Sequence, residues 1–218
     1  MNVGVIGAGR IGGNCARQAV RAGHDVLLSG SRDPVALRAS AEGLGARAGT
    51  PAEAVAFGDV VIVAVPWSAL DDVLAQAGPL EGVIVVDTTN QFGNAGWEDL
   101  GGRTAAQVNR ARMPGARYAK SFNTLTAGFQ AEAATRPPDE RVVQWLCGDD
   151  AAAKEVVGEL IAGMGYVAVD LGGTATCHVM EAPRRPGAVY GEEYRAADAD
   201  AVVEAVRAGR PIPPPPAY

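Results

Sequence analysis

Cysteine, histidine and net positive charge are all in short supply, and each shortage removes a class of chemistry. Only three cysteines occur in 218 residues. Cys15, Cys147 and Cys177 have no paired spacing, which argues against zinc or a disulfide framework and fits reduced thiols in a cytoplasmic protein. The two histidines stand in no His-Asp or metal-ligand cluster, and no Ser-Tyr-Lys set stands out either. The apolar run Val60–Pro66 is far short of the about 20 residues that cross a bilayer, so no membrane partner is expected. Asn2 opens a strand at once, so no export signal is expected. A net charge of −6 argues against general nucleic-acid binding and means that an anionic ligand must find local positive charge.

What is present has the composition of an ordinary folded protein, 48% hydrophobic and 20% charged, with room for one substantial core. Asn2–Ile6 reads as a short apolar strand. The next segment puts Ile11, Cys15 and Ala19 on one helical face with Arg17 and Arg21 opposite. Asp25–Ser29 is the next expected strand, and Pro34–Ala41 a helix opened by proline. Thr50 and Glu53 have capping-box spacing. Val60–Val65 and Val83–Val86 are β-branched runs without polar alternation, the signature of parallel strands covered by helices on both faces. Between them, Ser68 is expected to cap a helix carrying Leu70, Val73 and Leu74. A helix over Arg103–Arg112, strands at Tyr118–Phe122, Val142–Leu146 and Tyr166–Val169, and a helix over Ala151–Ala162 continue the alternation. The pattern predicts an α/β, Rossmann-type doubly wound and mainly parallel sheet over residues 1–170. Residues 171–218 are expected to be a short extension that completes the site or a subunit contact without forming a domain. Within them a helix spans Ala196–Ala208, and the tail Pro211–Pro216 is extended and exposed.

The chemistry is concentrated at strand ends. Gly7-Ala8-Gly9-Arg10-Ile11-Gly12 follows the first strand and opens the first helix, the context a dinucleotide fingerprint requires. Gly7 permits the turn, Gly9 lets backbone approach a pyrophosphate, and Gly12 allows close helix packing, with the helix N-terminus facing the anion. About 20 residues on, where an NAD enzyme places a carboxylate on the ribose, the chain reads Ser29-Gly30-Ser31-Arg32. With Ser31 to donate and Arg32 to offer its charged fork, NADP(H) is the expected cofactor; Asp33 could orient Arg32 or cap the next helix. Val65-Pro66 and Asn90 end buried strands and are expected to border the nicotinamide half, as are Asn123 and Thr124; the same residues can simply terminate strands.

Taken together, the glycine loop, Ser31-Arg32, Val65-Pro66, Asp87–Asn90, Phe122-Asn123-Thr124, and Cys147-Gly148-Asp149-Asp150 before a helix bearing Lys154 resemble the NADP-dependent oxidoreductases that react with the deazaflavin coenzyme F-420. The resemblance covers roughly residues 1 to 170. It implies hydride transfer between the nicotinamide and the deazaflavin C5, with the two rings stacked at the carboxyl edge of the sheet. Catalysis would rest on positioning, without an essential acid or base, so no catalytic residue is nominated. The expected partner is thus a small-molecule hydride donor or acceptor, the deazaflavin first among them, and the expected assembly a homodimer.

The stretch Met180–Tyr194 departs from the family pattern. Arg184, Arg185 and Tyr190 could meet the deazaflavin or form a subunit contact. Two rival readings remain open. A reductase of a C=N, C=C or C=O bond would need a proton donor, with His178, Tyr190, Tyr194 and Lys120 as candidates. A non-catalytic NADPH sensor would bind the cofactor without turnover. A membrane-anchored metalloreductase with a similar domain is disfavoured by the lack of an apolar span.

Overall fold

The computed structural model of the protein describes residues 1–30 and 33–217. Ser31 and Arg32 lie outside the described residues. Eight strands form one sheet: β1 (Asn2–Ile6), β2 (Asp25–Ser29), β3 (Arg47–Gly49), β4 (Val60–Val63), β5 (Ile84–Asp87), β8 (Arg117–Lys120), β9 (Val143–Gly148) and β10 (Val167–Asp170). A separate hairpin pairs β6 (Phe92–Gly93) with β7 (Gly96–Trp97). In space the large sheet runs β10-β9-β8-β5-β4-β1-β2-β3. All neighbours are parallel except β8 and β9, which meet antiparallel at Ala119↔Gly148 and Lys120↔Cys147. The expected doubly wound, mainly parallel α/β fold is therefore what the chain adopts. The order reverses at β1, which lies between β2 and β4, and a crevice at the carboxyl ends of such strands is where ligands settle in this architecture.

Two hydrophobic layers, one on each face, explain why the inner strands carry no polar alternation. Val60 and Ile62 of β4 point into the same layer as Cys15, Ala16 and Ala19 of helix α1 (Arg10–Arg21), together with Val157, Leu160 and Ile161 of α7 (Ala151–Gly163). Val61 and Val63 point the other way. There they meet Leu70, Val73 and Ala77 of α4 (Leu70–Ala77) and Val202 of α8 (Ala196–Arg207). With side chains alternating across the pleat, a strand buried on both faces must be apolar at every position.

Caps set several boundaries. Asp33 accepts the N–H groups of Val35 (2.8 Å) and Ala36 (3.3 Å) and so caps α2 (Pro34–Leu44). The Thr50–Glu53 box opens α3 (Pro51–Phe57), and Thr104 with Gln107 does the same for α5 (Ala105–Arg112). Two expectations are corrected. Ser68 caps nothing: it sits inside a 3-10 turn, Trp67–Ala69, and α4 starts at Leu70 without a side-chain cap. The tail is not wholly exposed, because Ile212 is buried in the core and the Tyr194 hydroxyl donates to the Pro213 carbonyl at 2.9 Å.

Candidate functional site

The carboxyl ends of β1, β2, β4, β5 and β8 share one edge, and their loops build the candidate site. At β1, Gly7 has φ +114°, and a Cβ there would run into the carbonyl oxygen of Ala64, so both conformation and space demand glycine. A Cβ on Gly12 would collide with the Gly7 carbonyl, so that residue sets how closely α1 docks on its loop. Gly9 is of a different kind: a Cβ added there meets nothing within 4 Å. Neither local sterics nor packing requires glycine at this position. It is the N-cap of α1, with no side-chain cap and no acidic residue in the first turn. The first amides of the helix, those of Arg10 and Ile11 among them, thus have no intrahelical acceptor and lie at the positive end of the helix. Ile11 is half-buried and leans on the core, whereas Arg10 is exposed.

An open depression of about 720 Å³ begins at Ala8 and Gly9 and runs beside α1, between α2 and α6 (Ala127–Ala133). Arg10 and Arg17 line it, and among the described residues no carboxylate does. It covers only the end of the site expected to take phosphates. Val65, Pro66, Asn90, Asn123 and Thr124 do not line it; they follow β4, β5 and β8.

That second half is tied together by the C-terminal extension. The Asn90 amide donates to the Asn123 carbonyl at 2.9 Å, and the Asn123 amide donates to Asn90 Oδ1 (3.1 Å) and to the Met180 carbonyl (2.6 Å). Asn90 Oδ1 also accepts the Ala182 N–H at 3.2 Å. The structure therefore brings Asn90 and Asn123 together, as grips on residues 180–182. Thr124 completes the clasp through its carbonyl, which accepts the Gly191 N–H at 2.8 Å. The buried Thr124 Oγ1 has no partner among the described residues. Between the two loops, Phe122 adopts φ +59°, a left-handed conformation that costs a bulky residue about 1–3 kcal/mol. Its ring is held edge-on against Tyr166, with centroids 6.0 Å apart. Val65 is half-buried and Pro66 exposed at the end of β4.

Beneath this edge lies a buried ion pair. Lys120 Nζ is 3.1 Å from Asp87 Oδ2, and both side chains are fully enclosed. Asp87 Oδ2 also accepts from Asn109 (2.8 Å) and the Tyr118 hydroxyl (2.6 Å), while Oδ1 accepts the Thr89 N–H at 2.7 Å. Burial pushes the Asp87 carboxyl up, but the Lys120 ammonium and these donors outweigh it and hold the group below its ordinary range. Burial likewise lowers Lys120, and the Asp87 and Glu181 charges overcome it and raise the group. Both directions leave the pair ionised. Lys120 also donates to the Thr89 carbonyl at 2.6 Å, so the pair fixes the turn that presents Asn90.

The other acid candidates lie elsewhere. The Tyr194 hydroxyl is pushed up to about 12, first by burial and then by Glu192 and Asp198. His178 is exposed, its Nδ1 3.1 Å from the Ala175 carbonyl, and burial raises Tyr190. Arg184 pairs with Glu192 at 2.6 Å, and Arg185 donates to the carbonyls of Glu181, Pro183 and His178. These arginines fold their own loop. Sequence reasoning missed Glu181, whose two carboxylate oxygens each accept, at 2.8 Å, the first N–H groups of α5 from Ala105 and Ala106. It also missed the β6–β7 hairpin. Asp87 was signalled only by a charge at the end of an otherwise apolar strand, and Lys120 by a charge inside the next expected one.

Comparison with known proteins bears on this arrangement. Residues 2–91 match the profile of a family described as NADP oxidoreductase, coenzyme F-420-dependent. A hypothetical protein of Sinorhizobium meliloti is 31% identical, with 89% of this chain and 95% of that one covered at a TM-score of 0.78. A candidate F-420-dependent NADP reductase of Arthrobacter sp. FB24 is 26% identical over 81% of this chain and 87% of that one, at a TM-score of 0.68. The metalloreductase STEAP3 of Rattus norvegicus is 30% identical over 83% of this chain, which spans only 36% of the rat protein. An imine reductase of Myxococcus stipitatus in complex with NADP, 21% identical over 80% of this chain and 56% of that one with a TM-score of 0.60, shares the fold. Among the described residues no helix is long and apolar enough to cross a membrane.

Proposed function

We propose that the chain, whose residues 2–91 match the profile of the coenzyme F-420-dependent NADP oxidoreductases, binds NADP(H) across its sheet edge and exchanges hydride with a deazaflavin held against the nicotinamide. The observation that carries the reading is Gly9: a helix N-cap whose missing side chain faces open space, where no acidic residue opposes an anion and two arginines line the adjoining depression. Such a terminus suits a pyrophosphate, through unpaired amides and the helix dipole together. In this reading Gly7 and Gly12 shape the turn, and Gly9, Arg10 and Ile11 present backbone to the phosphates. Ser31 and Arg32 follow β2 and receive the 2′-phosphate.

Val65, Pro66, Asn90, Asn123 and Thr124 border the nicotinamide end. Beneath that end the buried Thr124 Oγ1 and Asn123 Oδ1 have no partner among the described residues. NADPH, when bound, supplies a hydride, and the deazaflavin accepts it. The chain's task is to hold the two ring carbons at near-attack distance and to exclude water. The enclosed Lys120, committed to Asp87 and Thr89, fits a site that asks no side chain for a proton. Buried, unpaired Cys15, Cys147 and Cys177 suit a reducing compartment such as the cytoplasm. We place the working unit as a homodimer, which sedimentation would check.

The test is spectrophotometric: on adding the protein, NADPH and oxidised coenzyme F-420 should be consumed mole for mole, each followed by its own absorbance. Turnover of an imine or enone with no reaction of the deazaflavin would replace the second substrate. NADPH binding without turnover of any acceptor would favour the sensor reading.

A further inference from the structure

Two aromatic side chains at the carboxyl edge are left uncovered. Phe92 is 47% and Trp97 50% exposed, in a fold whose other tryptophans, Trp67 and Trp145, are buried. They face each other directly in the β6–β7 register. Residues directly opposite in an antiparallel pair project from the same face, with Cβ atoms about 5 Å apart. The two rings therefore form one apolar surface.

The surface is held stiffly. The Trp97 indole N–H donates to the Ala182 carbonyl at 3.3 Å, which fixes the ring's edge and leaves a face open. At the hairpin's base the Glu98 N–H donates to the Gln91 carbonyl at 2.9 Å, and the Glu98 carboxylate accepts the Trp67 indole N–H at 2.8 Å. Trp67 follows Pro66 at the end of β4, and Asn90 precedes the hairpin at the end of β5. The platform thus adjoins both loops that border the nicotinamide end, and its outer support, Ala182, is the same residue that Asn90 grips.

We propose that the Phe92–Trp97 hairpin is the subsite that receives the ring system of the second substrate, selecting a planar fused heteroaromatic. The inference rests on the hydride-transfer reading above and adds a residue-level account of which acceptor is chosen. Trp and Phe offer large, rigid apolar faces at little entropic cost, and offset stacking of π-systems is favourable beyond area burial. A second copy of the chain is a poorer occupant. Half-exposed rings drawn from side chains of about 150–250 Å² supply roughly 200 Å² between them, against the about 800 Å² per partner of a standard interface.

The test uses the full-length protein saturated with NADP, titrated with oxidised coenzyme F-420 and, separately, riboflavin. Because Trp97 is the exposed tryptophan, stacking should quench a large part of the indole emission. Trp97→Ala should abolish that quenching and weaken ring binding at least tenfold by calorimetry, with Phe92→Ala weakening it severalfold and Trp97→Phe restoring most of it. Binding of NADP, measured first, should change less than twofold in every variant. Undiminished ring affinity in Trp97→Ala, or no affinity for either ring compound in the unaltered protein, overturns the proposal while leaving the cofactor reading intact. Failure of NADP to bind overturns the cofactor reading instead. Conversion of a dimer to a monomer by Trp97→Ala, with ring affinity kept, would make the hairpin a subunit contact and also overturn it.

Discussion

Removing the Lys120 ammonium while keeping its bulk, as in Lys120→Met, leaves Asp87 enclosed with no opposing charge. Breaking a buried pair from one side costs about 3–5 kcal/mol, a large part of the roughly 5–15 kcal/mol that holds a domain folded. The Thr89 carbonyl also loses its donor. The loss should depend on pH in a definite direction. In the unaltered protein the folded Asp87 lies below its ordinary value. Its contribution is therefore present above an unfolded pKa of about 3.9 and disappears as pH falls through the folded value. In Lys120→Met, burial becomes the dominant influence, so the folded pKa rises above the unfolded one. The penalty is then smallest below about pH 4 and grows as pH rises towards the raised folded value, each tenfold difference in proton affinity between folded and unfolded chain being worth about 1.4 kcal/mol. Urea unfolding at pH 5 and pH 8 should give a larger penalty at pH 8, by about 1 kcal/mol or more. Adding Asp87→Asn should recover at least half of the pH 8 penalty, since the residue left behind is neutral and Asn109, Tyr118 and Thr89 remain around it. Equal penalties at the two pH values, or a double variant no more stable than the single one, would refute the ionised pair.

Gly9→Val should cost no more than about 1 kcal/mol in urea unfolding, the effect of a poorer helix cap, because a Cβ there meets no atom within 4 Å, yet weaken NADP(H) at least tenfold in calorimetry. Gly12→Ala should instead destabilise the fold by a few kcal/mol, about what overpacking costs, through collision with the Gly7 carbonyl, as urea unfolding would record. Glu181→Ala removes the acceptor of two buried N–H groups and should cost about 2–4 kcal/mol by the same measurement. Arg32→Ala should weaken NADPH far more than NADH; equal weakening would show that Arg32 does not read the 2′-phosphate.

The parts of the fold legible in the sequence are those set by local chemistry. Gly7 and Gly12 are dictated by the turn itself, and Val60–Val63 and Ile84–Asp87 by burial on both faces. Strand β3 was not legible, because its Arg-Ala-Gly carries no pattern and forms only by pairing with β2. The start of α4 was misplaced because Trp67, pinned to Glu98 31 residues away, turns the chain where Ser68 alone would have suggested a cap. In the site, the glycine loop could be read from spacing. The clasp of Asn90 and Asn123 on Met180 and Ala182 could not, because it joins segments 57 and 92 residues apart. Ser31 and Arg32 remain readings of the sequence.

Direct transfer can be followed with NADPH carrying deuterium at the transferable C4 position and oxidised coenzyme F-420 as acceptor. The account predicts that mass spectrometry finds the label on the deazaflavin C5, at one deuterium per NADPH consumed, and that Gly9→Val loses the transfer together with NADPH binding. Consumption of NADPH with the label absent from the deazaflavin, or transfer undiminished in Gly9→Val, would contradict it.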